Sequence, residues 1–186
     1  MKAAVLLCLL AIAPFAGAAN RQNIYVFGGK SMTGRIGQAD IEAVNYEFGQ
    51  AISRRTELGT TIALMNIRQM RSGYEEQFGP GTRNVPGVSM SLFIRRHFGG
   101  GSRLRPFIEL SSGPLYSRHR VPAGTSRINF YSQAGVGITW NPTARVGIIT
   151  GWRFGHISNG GIEPDKNPGY NTNTLVIGLQ LRPMPR

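Results

Sequence analysis

The chain has 186 residues, of which 21 are Lys or Arg and 9 are Asp or Glu, a formal charge of +12 at pH 7. That length fits one domain or one barrel, and a single cysteine, Cys8, excludes a disulfide framework and a cysteine-held metal. The basic excess points to a polyanionic partner; an anionic membrane surface or lipopolysaccharide fits better than nucleic acid, because aromatic and basic residues are not interleaved as base stacking requires.

The chain opens with a targeting pattern. Lys2 gives a positive start, Ala3 to Phe15 are apolar, and Ala16-Gly17-Ala18 supplies the small residues a signal peptidase needs. The apolar run is shorter than the ~20 residues of a spanning helix. Cleavage is expected after Ala18 or Ala19, so residues 1–19 read as a signal peptide, Cys8 included, and residues 20–186 as one exported domain.

No long helical stripe follows. Eight β-type segments recur instead, at residues 23–30, 41–53, 57–68, 87–98, 105–116, 128–141, 145–159 and 172–182. The connections after the first, third, fifth and seventh segments are long, and those after the second, fourth and sixth are shorter. Outer-membrane barrels alternate this way, with short periplasmic turns and long extracellular loops. The faces alternate too. In the seventh segment Val146, Ile148, Thr150, Trp152, Phe154, His156 and Ser158 share one side, and Arg145, Gly147, Gly151, Arg153 and Gly155 the other. Phe93, Ile149 and Val176 break the alternation. Arg95, Arg153 and Arg182 cannot cheaply face hydrocarbon, whereas a small lumen can pair them with Glu47, Glu57 or Glu109. Closure leaves no strand edge unpaired in lipid. The predicted fold is therefore all-β, an eight-stranded antiparallel transmembrane β-barrel in the outer membrane of a Gram-negative cell.

The chemistry concentrates in Phe154-Gly155-His156-Ile157-Ser158-Asn159-Gly160-Gly161. His156 and Ser158 lie on one face, with Trp152 and Phe154, roughly 6.5–7 Å apart at Cα on a strand. A serine hydroxyl needs a base, histidine is the usual one, and a third group holds the imidazole. Asn171, Asn173, Glu163 and Asp165 are the candidates for that group. Asn171 leads, because its parity matches outward-facing Leu175 and Ile177; Glu163 is the alternative. Asn159 is a candidate oxyanion donor, and Gly160-Gly161 lets the backbone approach a bulky substrate. His97, His119 and His156 fall on different segments, so no metal cluster and no cofactor are expected. His97 should point inward near the periplasmic end.

These residues, His156-Ile157-Ser158-Asn159-Gly160-Gly161-Ile162 and then Asn167-Pro168-Gly169-Tyr170-Asn171, resemble the signature of the PagL-type lipid A 3-O-deacylases. Weaker similarity runs through Pro106-Phe107-Ile108-Glu109-Leu110 and through residues 130–137. The resemblance implies an eight-stranded outer-membrane barrel with a serine-hydrolase site on its lipid-facing wall. It implies His156 as base, Ser158 as nucleophile and Asn159 in the oxyanion hole. The family's third member is a glutamate, where this chain carries Asn171. The expected activity is hydrolysis of the 3-linked acyl ester of lipid A, with Arg68, Arg71, Arg83, Arg118, Arg120, Arg127 or Lys166 on the long loops meeting lipid A phosphates. The rival is a non-catalytic barrel that binds lipopolysaccharide in adhesion or envelope integrity. The state of assembly is open, a homodimer included.

Overall fold

The structure is a computed structural model that describes residues 22–31, by backbone alone, and residues 39–69, 83–99, 103–123, 125–162 and 169–181. The expected signal peptide lies outside these residues, as do Arg71, Glu163, Asp165, Lys166 and Arg182.

The chain forms an all-β antiparallel barrel. Its strands are β1 (Gln22–Ser31), β2 (Ala39–Ala51), β3 (Thr56–Gln69), β4 (Asn84–His97), β5 (Leu104–Ser117), β6 (Ile128–Trp140), β7 (Val146–Ser158) and β8 (Tyr170–Leu181). Each pairs with its chain neighbours, and β1 pairs with β8, so the order closes on itself. These bounds fall within three residues of those expected from sequence. The largest extension is at β4, which starts at Asn84 and takes Pro86 into the ladder opposite Asn66; β8 starts two residues early, at Tyr170, and so carries Asn171 in the strand.

The outer wall is apolar. Val44, Leu64, Leu92, Leu110, Val136, Trp152, Ile177 and Leu179 are among the large hydrophobic side chains left exposed. A water-soluble fold would bury that face; a barrel in lipid presents it.

The lumen has two levels. Toward the long connections it is packed with Ile41, Met65, Ile67, Val85, Leu115, Val121, Tyr131, Ile157 and Tyr170. Val121 comes from the connection between β5 and β6, which folds inward; Gln69 Nε2 donates to the carbonyl of Arg120 at 3.1 Å. Below this plug lies a buried ion network. Arg95 donates to Glu109 Oε2 from Nε at 2.9 Å and from Nη2 at 2.7 Å, and to Glu47 Oε2 at 2.8 Å. Arg153 Nη2 donates to Glu47 Oε1 at 3.1 Å, and its Nε faces Glu109 Oε1. The Thr61 hydroxyl also donates to Glu47, at 3.1 Å. Arg95 and Arg153 thus occupy the lumen with the glutamates that the sequence offered them, and His97 lies inward, its Nε2 3.7 Å from Glu57. Phe93 and Phe107 each lie 4.9 Å from the Arg95 guanidinium. Ion and hydrogen-bond pairing on this scale is what makes buried charge tolerable.

The three residues that broke the alternation point inward. Phe93, Ile149 and Val176 are buried, and each faces a glycine across the ladder: Gly59, Gly178 and Gly151 respectively. A small barrel fills its interior by setting large side chains against small ones. Here the glycines create room that alternation alone cannot reveal.

Candidate active site

At the rim of β7, His156 is exposed and Ser158 half-buried, both on the outer wall. The ladder places them in a definite row. His156 pairs with Asn171 on β8 and with Ser132 on β6, and Ser132 pairs with Ser112 on β5. Four strands therefore carry Ser112, Ser132, His156 and Asn171 side by side on the outer wall. Ser158 sits two residues nearer the rim, opposite Phe130.

His156 Nδ1 lies 2.8 Å from Asn171 Oδ1. An amide oxygen can only accept, so Nδ1 carries a proton, and in the neutral ring the lone pair then lies on Nε2. This is the tautomer a general base needs. Gly169 fixes where the ring lies: a Cβ there would stand 2.9 Å from Nε2 and closer still to Cε1. Gly169 adjoins the rimward pair Ile157↔Tyr170, so the imidazole edge tips toward the rim, the side on which Ser158 lies. Asn173 also faces outward, one step deeper, opposite Phe154.

Beyond Ser158 the chain turns sharply. Asn159 Oδ1 accepts the Gly161 N–H at 2.9 Å, and Gly160 and Gly161 adopt φ of 65° and 81°. These are conformations that favour glycine. Gly160 also packs over the Phe130 ring, 3.0 Å from where a Cβ would be. Asn159 is buried, since its parity matches inward-facing Arg153 and Ile157. Its side-chain oxygen holds the turn, and its main-chain N–H is the group that can serve as an oxyanion donor.

The wall behind the site is braced from inside. Tyr131 and Thr172 hydroxyls lie 3.2 Å apart, and Gln133 Nε2 donates to the tyrosine oxygen at 3.0 Å. Gly155 lets Tyr131 lie flat against β7, because a Cβ there would meet its ring.

The basic residues do not form one surface. Arg118, Arg120 and Arg127 are exposed on the connection that leads into β6, beside the site. Arg68 and Arg83 lie on the β3–β4 side, where they line a cavity of about 350 Å³ with Asp40, Glu42, Asn66 and Asn84. Asp40 and Glu42 bring carboxylates to the same cavity. His97 is in the lumen and His119 on an exposed connection, both apart from His156. Among the described residues no three His, Cys, Asp or Glu side chains group as metal ligands.

Ser112, Ser132 and Gly169 were not singled out from sequence. Their signal is the pairing register, which depends on turn lengths, and a one-residue slip would send Ser132 inside.

A family model described as Lipid A 3-O-deacylase (PagL) matches residues 43–180, which include the whole row. Among solved structures, the outer membrane enzyme PagL is similar, with 20% identity, a TM-score of 0.57, and coverage of 83% of this chain and 97% of that one. Neisserial surface protein A gives 11% identity and a TM-score of 0.57 over 87% of this chain and 94% of that one. OprG from Pseudomonas aeruginosa gives 9% and 0.51 over 88% and 95%. These likenesses show the fold. No curated protein matches the chain.

Proposed function

Since the chain belongs to the PagL family of lipid A 3-O-deacylases and is an outer-membrane β-barrel, we propose that it hydrolyses the ester-linked acyl chain at the 3-position of lipid A, with Ser158 as nucleophile and His156 as base. The observation that carries this reading is the 2.8 Å contact between His156 Nδ1 and Asn171 Oδ1 on the lipid-facing wall. It directs Nδ1 at the amide oxygen and leaves Nε2 for the serine.

The reaction runs in two halves. Nε2 takes the Ser158 hydroxyl proton as Oγ attacks the ester carbonyl carbon. The carbonyl oxygen becomes an oxyanion, held by the main-chain amides of Asn159 and Gly160. The imidazolium then gives its proton to the departing sugar oxygen, and the C–O bond breaks to leave an acyl-enzyme. Water, deprotonated by the same histidine, attacks that ester; the imidazolium returns the proton to Ser158 Oγ as the acyl–Oγ bond breaks, and the fatty acid is released. The sugar lies rimward, and the acyl chain runs down the apolar wall over Phe154 and Ala134. Arg118, Arg120 and Arg127 are placed to meet its phosphates.

Asn171 orients the imidazole but does not neutralise the imidazolium as a carboxylate would. Glu163 is the alternative orienter. The reading takes residues 20–186 as the mature eight-stranded barrel, with residues 1–19 removed on export. All the reacting groups come from one chain, so the scheme is the same for a monomer and a homodimer.

The test is lipid A mass spectrometry from a Gram-negative host expressing the protein. Loss of one 3-linked acyl chain with wild type, and none with Ser158→Ala, is the expected result. Unchanged lipid A from cells carrying the folded wild-type barrel would replace the enzyme with a non-catalytic lipopolysaccharide-binding barrel.

A further inference from the structure

The two ends of the barrel carry charge differently. At the rim that holds His156, basic and acidic residues are mixed, and Arg68 and Arg83 share a cavity with Asp40 and Glu42. The other end is bounded by the short connections between β2 and β3, β4 and β5, and β6 and β7. Among the described residues outside the lumen, its charged side chains are all arginines: Arg54, Arg55, Arg96, Arg103, Arg105 and Arg145. All but Arg105, which is half-buried at the lumen mouth, are exposed. Glu47, Glu57 and Glu109 are buried inside the barrel, so no carboxylate is interleaved with these arginines on the surface.

The turns that carry them are joined to one another. The His97 N–H donates to the Arg55 carbonyl at 2.7 Å, and the Asn141 N–H to the Arg103 carbonyl at 2.6 Å. Arg105 Nη2 donates to the Arg54 carbonyl at 3.4 Å, and Arg96 Nη1 to the Thr56 hydroxyl at 3.0 Å. At the same level Ile52, Phe98, Leu104 and Trp140 stand exposed on the outer wall. Exposed aromatic side chains at the end of an apolar wall mark the boundary between hydrocarbon and head groups. The arginines therefore lie at head-group depth.

We propose that this rim is a binding surface for anionic phospholipids of the periplasmic leaflet, those whose phosphodiester charge no ammonium group cancels. The inference takes the short connections as periplasmic, as in outer-membrane barrels generally, and makes no use of the ester chemistry at Ser158. Like charges crowded on one rim repel each other, and a phosphodiester seated between two of them relieves that repulsion. Arginine suits the role, because its guanidinium stays charged and offers a fork of N–H donors to phosphate oxygens. A rim that needed only solubility could mix both signs, as the opposite rim does. Lipopolysaccharide belongs to the other leaflet and meets the other rim, so the ligand at this depth is a phospholipid.

Trp140 is the natural reporter. It pairs with Leu104, which lies between Arg103 and Arg105. The chain has two tryptophans, so Trp152→Phe leaves Trp140 as the one source of tryptophan fluorescence. The barrel would be placed in vesicles that mix phosphatidylglycerol with phosphatidylcholine, with bromine on the acyl chains of one lipid or the other, and quenching of Trp140 would give the relative affinity. With the same mixture in both leaflets, the direction of insertion does not matter. Phosphatidylglycerol is expected to be favoured about fivefold, the equivalent of one arginine at an anionic head group, and less so as salt screens the charges. Replacing Arg54, Arg55, Arg96, Arg103 and Arg145 together by Gln should bring the ratio close to one; replacing the same five by Lys should retain most of it. Heat-modifiable gel migration reports folding for every variant. Equal quenching by the two lipids in the folded barrel with its arginines intact would overturn the inference, as would an undiminished preference in the folded Gln variant. Neither outcome bears on ester cleavage, which the lipid A assay decides by itself.

Discussion

The inner row Glu57–Arg95–Glu109–Gly135–Arg153 and the outer row Ser112–Ser132–His156–Asn171 run across overlapping strands, and they use polar groups in opposite ways. Inside, opposite charges alternate around the wall, and Gly135 leaves room for Arg153 and Glu109 to meet. Outside, the groups are two serines, a histidine and an asparagine, open to the membrane. His156 directs Nδ1 at Asn171, and the serine pair keeps a donor. Polar groups inside the barrel satisfy one another; polar groups with spare valence on its lipid face are open to a ligand in the membrane.

Changes in the two rows should therefore separate activity from stability. The largest effect is expected from His156→Ala, which removes the base: kcat should fall by at least ~10³-fold, in line with the loss of a hydrolase triad member, while thermal unfolding in detergent stays put. Glu109→Ala should do the reverse. It leaves Arg95 and Arg153 short of a buried partner and should destabilise by about 3–5 kcal/mol, read from denaturant unfolding, with kcat per folded molecule close to wild type. Gly169→Ala should sharpen the contrast from the outer side. The methyl group forces the imidazole off its position, and a displacement of ~1 Å can cost ~10² in rate; a circular dichroism spectrum should show an unchanged barrel. Asn171→Ala should cost about 10-fold to 100-fold in kcat, the equivalent of a hydrogen bond to a group that becomes charged, and Asn171→Asp should recover the loss by restoring an acceptor that also neutralises the imidazolium. A stability loss in Asn171→Ala as large as in Glu109→Ala would erase the distinction between the rows.

Much of this architecture was legible in the chain. Alternation in the seventh segment put His156 and Ser158 on the lipid face, the same parity argument placed Asn171 beside them, and the cost of charge in lipid sent Arg95 and Arg153 inward. Parity would also have turned the Asn159 side chain inward, since residue 159 shares the face of Arg153. What alternation cannot provide is register. The pairing of Ser132 with His156, and of Phe93 with Gly59, depends on how many residues each turn consumes. The close approach of Gly169 to the imidazole likewise depends on how the chain enters β8. The outer row is for that reason a property of the folded barrel and not of any one segment.

Ser158 is the proposed nucleophile, and His156 the residue proposed to activate it. The most direct measurement is intact-protein and peptide mass spectrometry after treatment of the folded barrel with a long-chain alkyl fluorophosphonate, which phosphonylates activated serines. One adduct is expected, on the peptide that carries Ser158, lost in Ser158→Ala and strongly slowed in His156→Ala. An adduct on Ser132 or Ser112 in its place, or labelling of Ser158 at the same rate without His156, would contradict the account.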